Sequence, residues 1–212
     1  MKNICAAALA LFAAVPAFAQ STVTVDFDGA AGYVNAVGEF YNGGTDGLGR
    51  SGPNYGVSFS GAAVALSNDE LGPYFSNAPS PLAVMFALDS TAVMNVAKGF
   101  VGTLSFAYSS SVNALGAVNI YSGLNATGGL LGSFNLSDNA QVGCTSSPYC
   151  HFDLRSVQFA GVAKSVGFGG GAPNVLFDNV SLTLAPVPEP ASYALLAAGL
   201  VGVGLAKRRR ST

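Results

Sequence analysis

The central part of this 212-residue chain predicts an all-β fold, an antiparallel β-sandwich of the jelly-roll type. Three observations predict it. Short runs of alternating apolar and polar residues recur through residues 20–186, glycine-rich or polar stretches separate them, and no convincing helical pattern interrupts the series. The predicted organisation is a leader at residues 1–19, a β-sandwich at 20–186 and a separate C-terminal segment at 187–212.

The predicted strands follow from these runs. Apolar and polar residues alternate strictly in residues 23–28 and 104–109, so each segment predicts a strand with one buried and one solvent-exposed face. Further apolar runs predict strands at residues 57–60, 63–67, 83–88, 118–121, 130–136, 152–159, 165–168 and 175–184. The glycine-rich residues 41–56 predict a long surface loop, and no helix follows it to bind a phosphate group.

The last predicted strand changes phase in its middle. Its apolar positions are odd-numbered through Phe177 and even-numbered from Val180. This change predicts a β-bulge at Asp178 and Asn179. Without a bulge, Asp178 would share the core face with Val180, and a buried carboxylate needs a partner.

Two cysteines, Cys144 and Cys150, remain after the first 19 residues and flank a five-residue loop. In an oxidising compartment this pair predicts a disulfide, which would shape the loop and constrain the unfolded chain by roughly 2 kcal/mol. Zinc is the alternative, with the neighbouring His151 as a third ligand. A fourth ligand at workable spacing is lacking, so the disulfide is favoured.

The charge of the central segment argues against several functions. Residues 20–186 hold four Lys or Arg and ten Asp or Glu, a net charge of −6, whereas the whole chain has −2. Nucleic-acid binding needs a cationic surface, so nucleic acid is not expected as a partner. His151 is the only histidine, and neither G-x-S-x-G nor H-E-x-x-H occurs. We therefore predict a non-catalytic domain.

A carbohydrate-binding module stabilised by calcium is the first alternative. Jelly-roll modules of this kind resemble the predicted fold and often hold calcium between their first and last strands, where Asp26 or Asp28 could meet Asp178. Three carboxylates are too few alone, because calcium takes six to eight oxygens, and solvated strand acids explain them equally well. Loop tyrosines could stack on sugar rings: Tyr41, Tyr55, Tyr74 and Tyr149.

Two further alternatives stay open. A carboxylate-based glycan hydrolase would need two acids flanking the scissile bond, but the central segment has only Glu39 and Glu70 as glutamates, and the chain has no tryptophan to line a sugar cleft. A purely structural, polymer-forming subunit would be indicated by exposed sheet edges.

The first 19 residues are typical of a secretory signal peptide. Lys2 gives a positive start, residues 4–15 are apolar, and Ala17 and Ala19 form a small-x-small cleavage site. Cleavage after Ala19 would leave a mature chain that begins at Gln20 outside the cytoplasm.

The C-terminal segment has three parts. Val187, Pro188, Glu189 and Pro190 predict a stiff, extended spacer. Residues 191–206 carry no charge and predict a transmembrane helix of roughly 24 Å, short against a hydrocarbon core of roughly 30 Å. Four consecutive cations follow and would stay on the cytoplasmic side: Lys207, Arg208, Arg209 and Arg210. A buried core helix is the alternative, but a terminal cluster of cations argues against it.

This tripartite tail resembles the PEP-CTERM sorting signal of Gram-negative, exopolysaccharide-producing bacteria, and residues 40–61 are similar to a segment found in such proteins. The resemblance implies exosortase as a partner, a membrane-embedded, cysteine-peptidase-like transpeptidase that cuts near the Pro-Glu-Pro motif. The expected path is export through the inner membrane, anchoring by the C-terminal helix, and transfer to the cell surface or extracellular matrix. Extracellular polysaccharide is a further expected partner, and no cofactor is expected beyond the calcium already considered.

Overall fold

The computed structural model describes residues 20–186 and 198–200. Gln20–Ala185 form one compact unit of ten strands and two single-turn 3-10 helices, Asp28–Ala30 and Gly169–Gly171. The strands are β1 (Thr22–Val25), β2 (Asn35–Ala36), β3 (Val57–Phe59), β4 (Ala63–Leu66), β5 (Val84–Ala87), β6 (Val93–Ser110), β7 (Ala114–Tyr121), β8 (Leu130–Leu136), β9 (Asp153–Gly167) and β10 (Val175–Leu184).

Hydrogen bonding joins all ten strands into one antiparallel sheet. Its order is β2-β4-β5-β10-β6-β9-β7-β8, with β1 added to β10 and β3 added to β6. The prediction of an antiparallel, sandwich-like all-β fold is therefore confirmed, and the finer jelly-roll assignment stays a prediction.

Two long strands carry the sheet from one layer of the sandwich to the other. The first part of β6 pairs with β3, and its second part pairs with β10. The pairing of β6 with β9 shifts register between Asn95 and Phe100 and again between Val101 and Thr103. Gly99 and Gly102 lie there with φ of 81° and 80°, a conformation that residues with a side chain rarely adopt. These bulges bend both strands.

The main core is aromatic at its centre. Phe106 on β6 contacts Phe177 on β10 and Phe168 after β9 edge-on, with ring centroids 5.6 and 6.4 Å apart. All three rings are fully buried. A smaller cluster of Leu66, Phe75, Val84 and Leu176 lies on the other face of β4, β5 and β10, where the segment between β4 and β5 covers it.

Most strand predictions correspond to strands, but several bounds differ. The strand predicted at residues 23–28 ends at Val25, because Phe27 is left-handed and Asp28–Ala30 form a 3-10 helix. Residues 152–159 and 165–168 belong to one strand, β9, while β6 and β7 begin before residues 104 and 118. Residues 93–103 did not predict a strand because Lys98, Gly99 and Gly102 interrupt the alternation at the bend. The two-residue β2 is too short to give a periodic pattern.

The glycine-rich loop of residues 41–56 is folded upon itself by isolated bridges, Asn42 to Asn54 and Thr45 to Ser51. The buried carboxylate of Asp46 fixes the tip of this loop. It accepts bonds from the backbone and guanidinium of Arg50 and from Asn35 Nδ2, each at 2.7–3.0 Å. Burial raises the pKa of Asp46, but these donors outweigh it and the pKa is lowered overall.

Most of the terminal segments lie outside the described residues. Ala198–Leu200 are helical, and among the residues that the structure describes no helix is long and apolar enough to cross a membrane. The predicted transmembrane helix at 191–206, apart from these three residues, lies outside that range. So do the cleavage site at Ala17 and Ala19, the spacer from Val187 to Pro190 and the basic residues 207–210.

Candidate functional site

The loop between β8 and β9 is closed by a disulfide. Cys144 and Cys150 are bonded with a Cα–Cα distance of 6.0 Å, which uses both thiols that a zinc site would have needed. The backbone N–H groups of Cys150 and His151 both donate to the carbonyl of Ala140, at 2.8 and 3.1 Å. Asn77 Nδ2 donates to the Cys150 carbonyl at 2.9 Å, which ties the loop to the segment between β4 and β5. The Cys150 end of the disulfide loop is therefore held by Ala140 on one side and by Asn77 on the other.

A buried asparagine fixes the floor of this loop. Asn139 accepts a bond from the Ser110 N–H at 2.7 Å and donates through Nδ2 to the Tyr108 carbonyl and to Asp153 Oδ2, at 3.2 and 2.9 Å. The bond from Asn139, together with one from His151, lowers the pKa of Asp153. Neighbouring residues 138 and 140 are consequently fixed in position.

An open cleft of about 540 Å³ lies beside the disulfide loop. Its lining combines one aromatic ring, a carboxylate, an amide and a hydroxyl among apolar side chains: Ser111, Asp138, Ala140, Gln141, Val142, Pro148 and Tyr149. The hydroxyls of Tyr149 and Ser111 lie 3.3 Å apart, so a hydrogen bond links the ring to a second residue of the lining. A flat ring with nearby planar polar groups suits a neutral polyhydroxyl ligand, because the ring packs on C–H groups while the polar groups bond hydroxyls.

Two of the four predicted sugar-stacking tyrosines, Tyr74 and Tyr149, come together at this end of the sandwich. The Tyr149 N–H donates to the Tyr74 carbonyl at 3.3 Å, and Tyr149 forms an isolated parallel β-bridge with Phe75. Tyr74 donates its hydroxyl to Asp69 at 3.1 Å, and its ring lies 5.8 Å from that of the exposed Tyr33. Three tyrosines thus lie on or beside the disulfide loop and the segment it contacts.

The prediction that Tyr41 is a surface tyrosine is wrong. Its side chain is buried, with 2% exposure, and packs against Phe27, Phe40 and Phe59. Tyr55 stacks on it with ring centroids 6.0 Å apart. Burial, with the nearby charge of Asp26, raises the pKa of Tyr41 far above its usual range. The sequence around Tyr41 is glycine-rich and predicts a loop. It does not reveal the contacts with Phe27 and Phe59, which are distant in the chain.

The predicted β-bulge in the last strand is confirmed, since the pairing of β10 with β6 shifts register between Asp178 and Ser181. Asn179 takes a left-handed conformation there, with φ of 47°. The bulge leaves Asp178 fully buried. Its Oδ2 accepts a bond from the Ser80 N–H and its Oδ1 from the Asn179 N–H, both at 2.7 Å. Burial is the largest influence on Asp178 and raises its pKa to about 6.

The geometry around Ser80 agrees with a proton on Asp178. Ser80 Oγ lies within hydrogen-bond distance of both Asp178 Oδ1 and the Asp26 carbonyl, but one hydroxyl has one hydrogen to donate. When Asp178 is protonated it can donate to Ser80, which then donates to Asp26. The two acids that follow β1 have other roles: Asp28 accepts from the N–H groups of Leu82 and Ala83, and Asp26 from the Tyr41 hydroxyl.

These contacts show what the three acids proposed for calcium do in the fold. They hold residues 80–83, where the segment that covers the smaller core cluster returns to β5. Within residues 20–186 and 198–200, no three His, Cys, Asp or Glu side chains are grouped so that they could hold a metal ion. Calcium at Asp26, Asp28 and Asp178 stays a prediction.

The residues suggested for catalysis lie apart from the cleft lining. His151 Nε2 lies 3.1 Å from Asp153 Oδ1 on the surface, and Glu39 accepts a bond from Asn42 Nδ2 in the glycine-rich loop. Glu70 is exposed in the turn after β4. The cleft residues Ser111, Asp138 and Gln141 were missed, because only the tertiary fold brings residue 111 next to residues 138–149.

Structural similarity to solved proteins is weak. A family 6 carbohydrate-binding module whose binding sub-sites were dissected by crystallography and calorimetry shares 18% identity, covering 59% of this chain and 85% of the module, with a TM-score of 0.39. A family 29 carbohydrate-binding module from Piromyces equi shares 10% identity over 82% of this chain and 98% of the module, with a TM-score of 0.37. Similarities at this level support no functional conclusion.

The C-terminal segment gives a definite match. No curated protein sequence is significantly similar to the chain. Residues 186–210, however, match the PEP-CTERM protein-sorting motif, as the Pro-Glu-Pro spacer, apolar stretch and basic tail predicted. By this motif the chain is a PEP-CTERM protein.

Proposed function

We propose that this protein is exported, recognised by exosortase through Val187 to Pro190, and delivered as a non-catalytic β-domain to the cell surface or extracellular matrix. The match at residues 186–210 is the observation that carries the proposal. The last backbone bonds of the domain, from Leu184 to Ser21 and from Ala185 to Gly99, end just before that motif begins. The Cys144–Cys150 disulfide supports an oxidising compartment.

In this proposal the remaining terminal features act in sequence. The leader is removed after Ala19, residues 191–206 hold the C-terminus in the inner membrane, and the cations at 207–210 keep the tail on the cytoplasmic side. Exosortase then cuts near Pro188 to Pro190 and releases the domain from this anchor.

Changing the Pro-Glu-Pro motif is expected to abolish C-terminal processing. In cells that express exosortase, the purified protein should lack residues through Thr212, as read by mass spectrometry of its C-terminal peptide. Replacing Pro188, Glu189 and Pro190 together with alanine should leave the full tail, and so should deletion of exosortase. Pro79→Ala, an exposed proline outside the motif, is the matched control and should be processed normally. A species that still ends at Thr212 in unmodified cells would contradict the proposal.

A second candidate function is glycan binding in the cleft beside the disulfide loop. The observation that favours it is the half-buried ring of Tyr149 among Asp138, Gln141 and Ser111 in an open cleft of about 540 Å³. A surface protein that holds matrix polysaccharide needs no catalytic group. In this alternative, calcium at Asp26, Asp28 and Asp178 would stabilise the fold and would not contact the sugar.

Replacing Tyr149 with alanine is expected to weaken glycan binding by about tenfold, equivalent to roughly 1.4 kcal/mol, because the stacking surface is lost. Tyr149→Phe keeps the ring and should retain most of the binding. Binding to a panel of neutral polysaccharides, measured with and without EDTA, gives the comparison. Equal binding by the alanine and wild-type proteins would remove this candidate, and loss of binding in EDTA would support the calcium-stabilised form.

A further inference from the structure

The outer edge of the sheet at β8 is unusually open. β8 is seven residues long, and within the part of the chain that the structure describes it pairs with β7 alone. Three other edge strands are shorter, since β2 has two residues, β3 three and β1 four. Residues 153–163 of β9 pair with β6 alone, but this open side carries the charged residues Asp153 and Arg155. An edge strand presents free N–H and C=O groups, and proteins normally protect long edges with charged residues, proline or a cover.

The β8 edge carries none of the usual protective residues. Its sequence, Leu-Leu-Gly-Ser-Phe-Asn-Leu, has no charge and no proline. The uncharged region is much longer than the strand, because residues 99–137 contain no Asp, Glu, Lys, Arg or His. A second copy of this edge would therefore meet no like charge, although residues 20–186 carry a net −6.

Exposed leucines lie at both ends of this edge. Leu130 begins β8 and is 57% exposed, and Leu115 on β7 lies beside the other end of β8 and is 78% exposed. When two copies of β8 pair antiparallel about Ser133, the exposed Leu130 of each copy lies opposite Leu136 of the other copy. Two-fold pairing of this kind uses the same patch twice and covers part of Leu130 at each end.

We propose that β8 is a self-association edge through which two copies of this protein join antiparallel into one continuous sheet. The partner is a second copy of the chain, and backbone hydrogen bonds supply most of the contact, as in other cases of strand addition. One strand pair buries little area, so the contact suits copies concentrated on a surface or in a matrix. This inference does not depend on the glycan cleft or on exosortase processing.

Cysteine cross-linking in cells tests this edge directly. Ser133 is exposed at the middle of β8, and both native cysteines of the domain are bonded to each other, so Ser133→Cys adds one free thiol to it. The full chain with this substitution, treated with a short bifunctional maleimide, is expected to give a dimer whose cross-linked peptide contains residue 133 from both copies. Ser156→Cys is the matched control, an exposed serine on the part of β9 that pairs with β6 alone, beside the charged residue Arg155.

The expected dimer yield is several-fold higher for Ser133→Cys than for Ser156→Cys, and unchanged in high salt because the edge has no charge. Adding Leu130→Lys to Ser133→Cys should reduce the yield to the level of the control, because a lysine at this edge opposes pairing. Similar yields at positions 133 and 156, or a yield at 133 that Leu130→Lys leaves intact, would overturn the proposal. Loss of the C-terminal motif should not change the result, so failure here is distinct from failure of the sorting proposal.

Discussion

Replacing Phe106 with alanine is expected to lower the free energy of unfolding by about 4 kcal/mol, the usual cost of removing a fully buried phenylalanine. Phe106 lies at the centre of the main core, where it contacts Phe168, Phe177 and Tyr108 with ring centroids 5.6–6.5 Å apart. The cavity would open between β6 and β10, two strands that pair over much of their length. The surrounding side chains therefore have little freedom to relax into the cavity, and most of its free-energy cost should remain.

Urea unfolding followed by circular dichroism measures this change, with the slope of the transition checked for two-state behaviour. Leu115→Ala is the control, because that side chain is 78% exposed and its loss should change stability by less than about 0.5 kcal/mol. Similar midpoints for the Phe106 and Leu115 variants would show that the aromatic cluster is not the core of this domain.

Replacing Asp178 with asparagine is expected to change how stability depends on pH. The pKa of Asp178 is raised from 3.8 in the unfolded chain to about 6 in the folded domain, because its carboxylate is buried. The folded state therefore binds more protons than the unfolded state between these two values. The stabilisation from the neutral acid is fully present below pH 3.8 and is lost as the pH rises through 6.

Asparagine has the shape of the protonated acid and does not titrate, so it keeps the neutral arrangement at every pH. The stability of Asp178→Asn relative to wild type should rise by about 2.4 kcal/mol between pH 4 and pH 7. Other carboxylates, such as Asp46, cancel because both proteins contain them. Urea unfolding of the two proteins at several pH values gives the difference, and a constant difference would show that Asp178 is ionised throughout this range.

Strands were predictable from the sequence where one face is solvent-exposed and the other is buried, because apolar and polar residues then alternate. The alternation of β1 and the phase change of β10 identified both strands and the bulge at Asp178, because a pleated strand has a strict period of two. The disulfide of Cys144 and Cys150 followed from the count and spacing of the cysteines. These features are local, so a single sequence contains them.

Other features depend on contacts between distant residues. The early half of β6 was missed because its glycines at 99 and 102 serve the bend between layers, which no local pattern reveals. Tyr41 was expected at the surface, but Phe27 and Phe59 bury it. The cleft needs the register of β6 and β9 to bring Ser111 beside Tyr149. Long-range packing decides all three.

Residues 20–186 are expected to lie outside the cytoplasm, because the leader exports them. A reporter enzyme that is active only outside the cytosol, inserted after Pro186 in the full chain, measures their location. The reporter should be active in the intact chain and inactive when residues 2–19 are deleted. An inactive reporter in the intact chain, together with activity from a matched reporter that works only in the cytosol, would place the domain in the cytoplasm and rule out export.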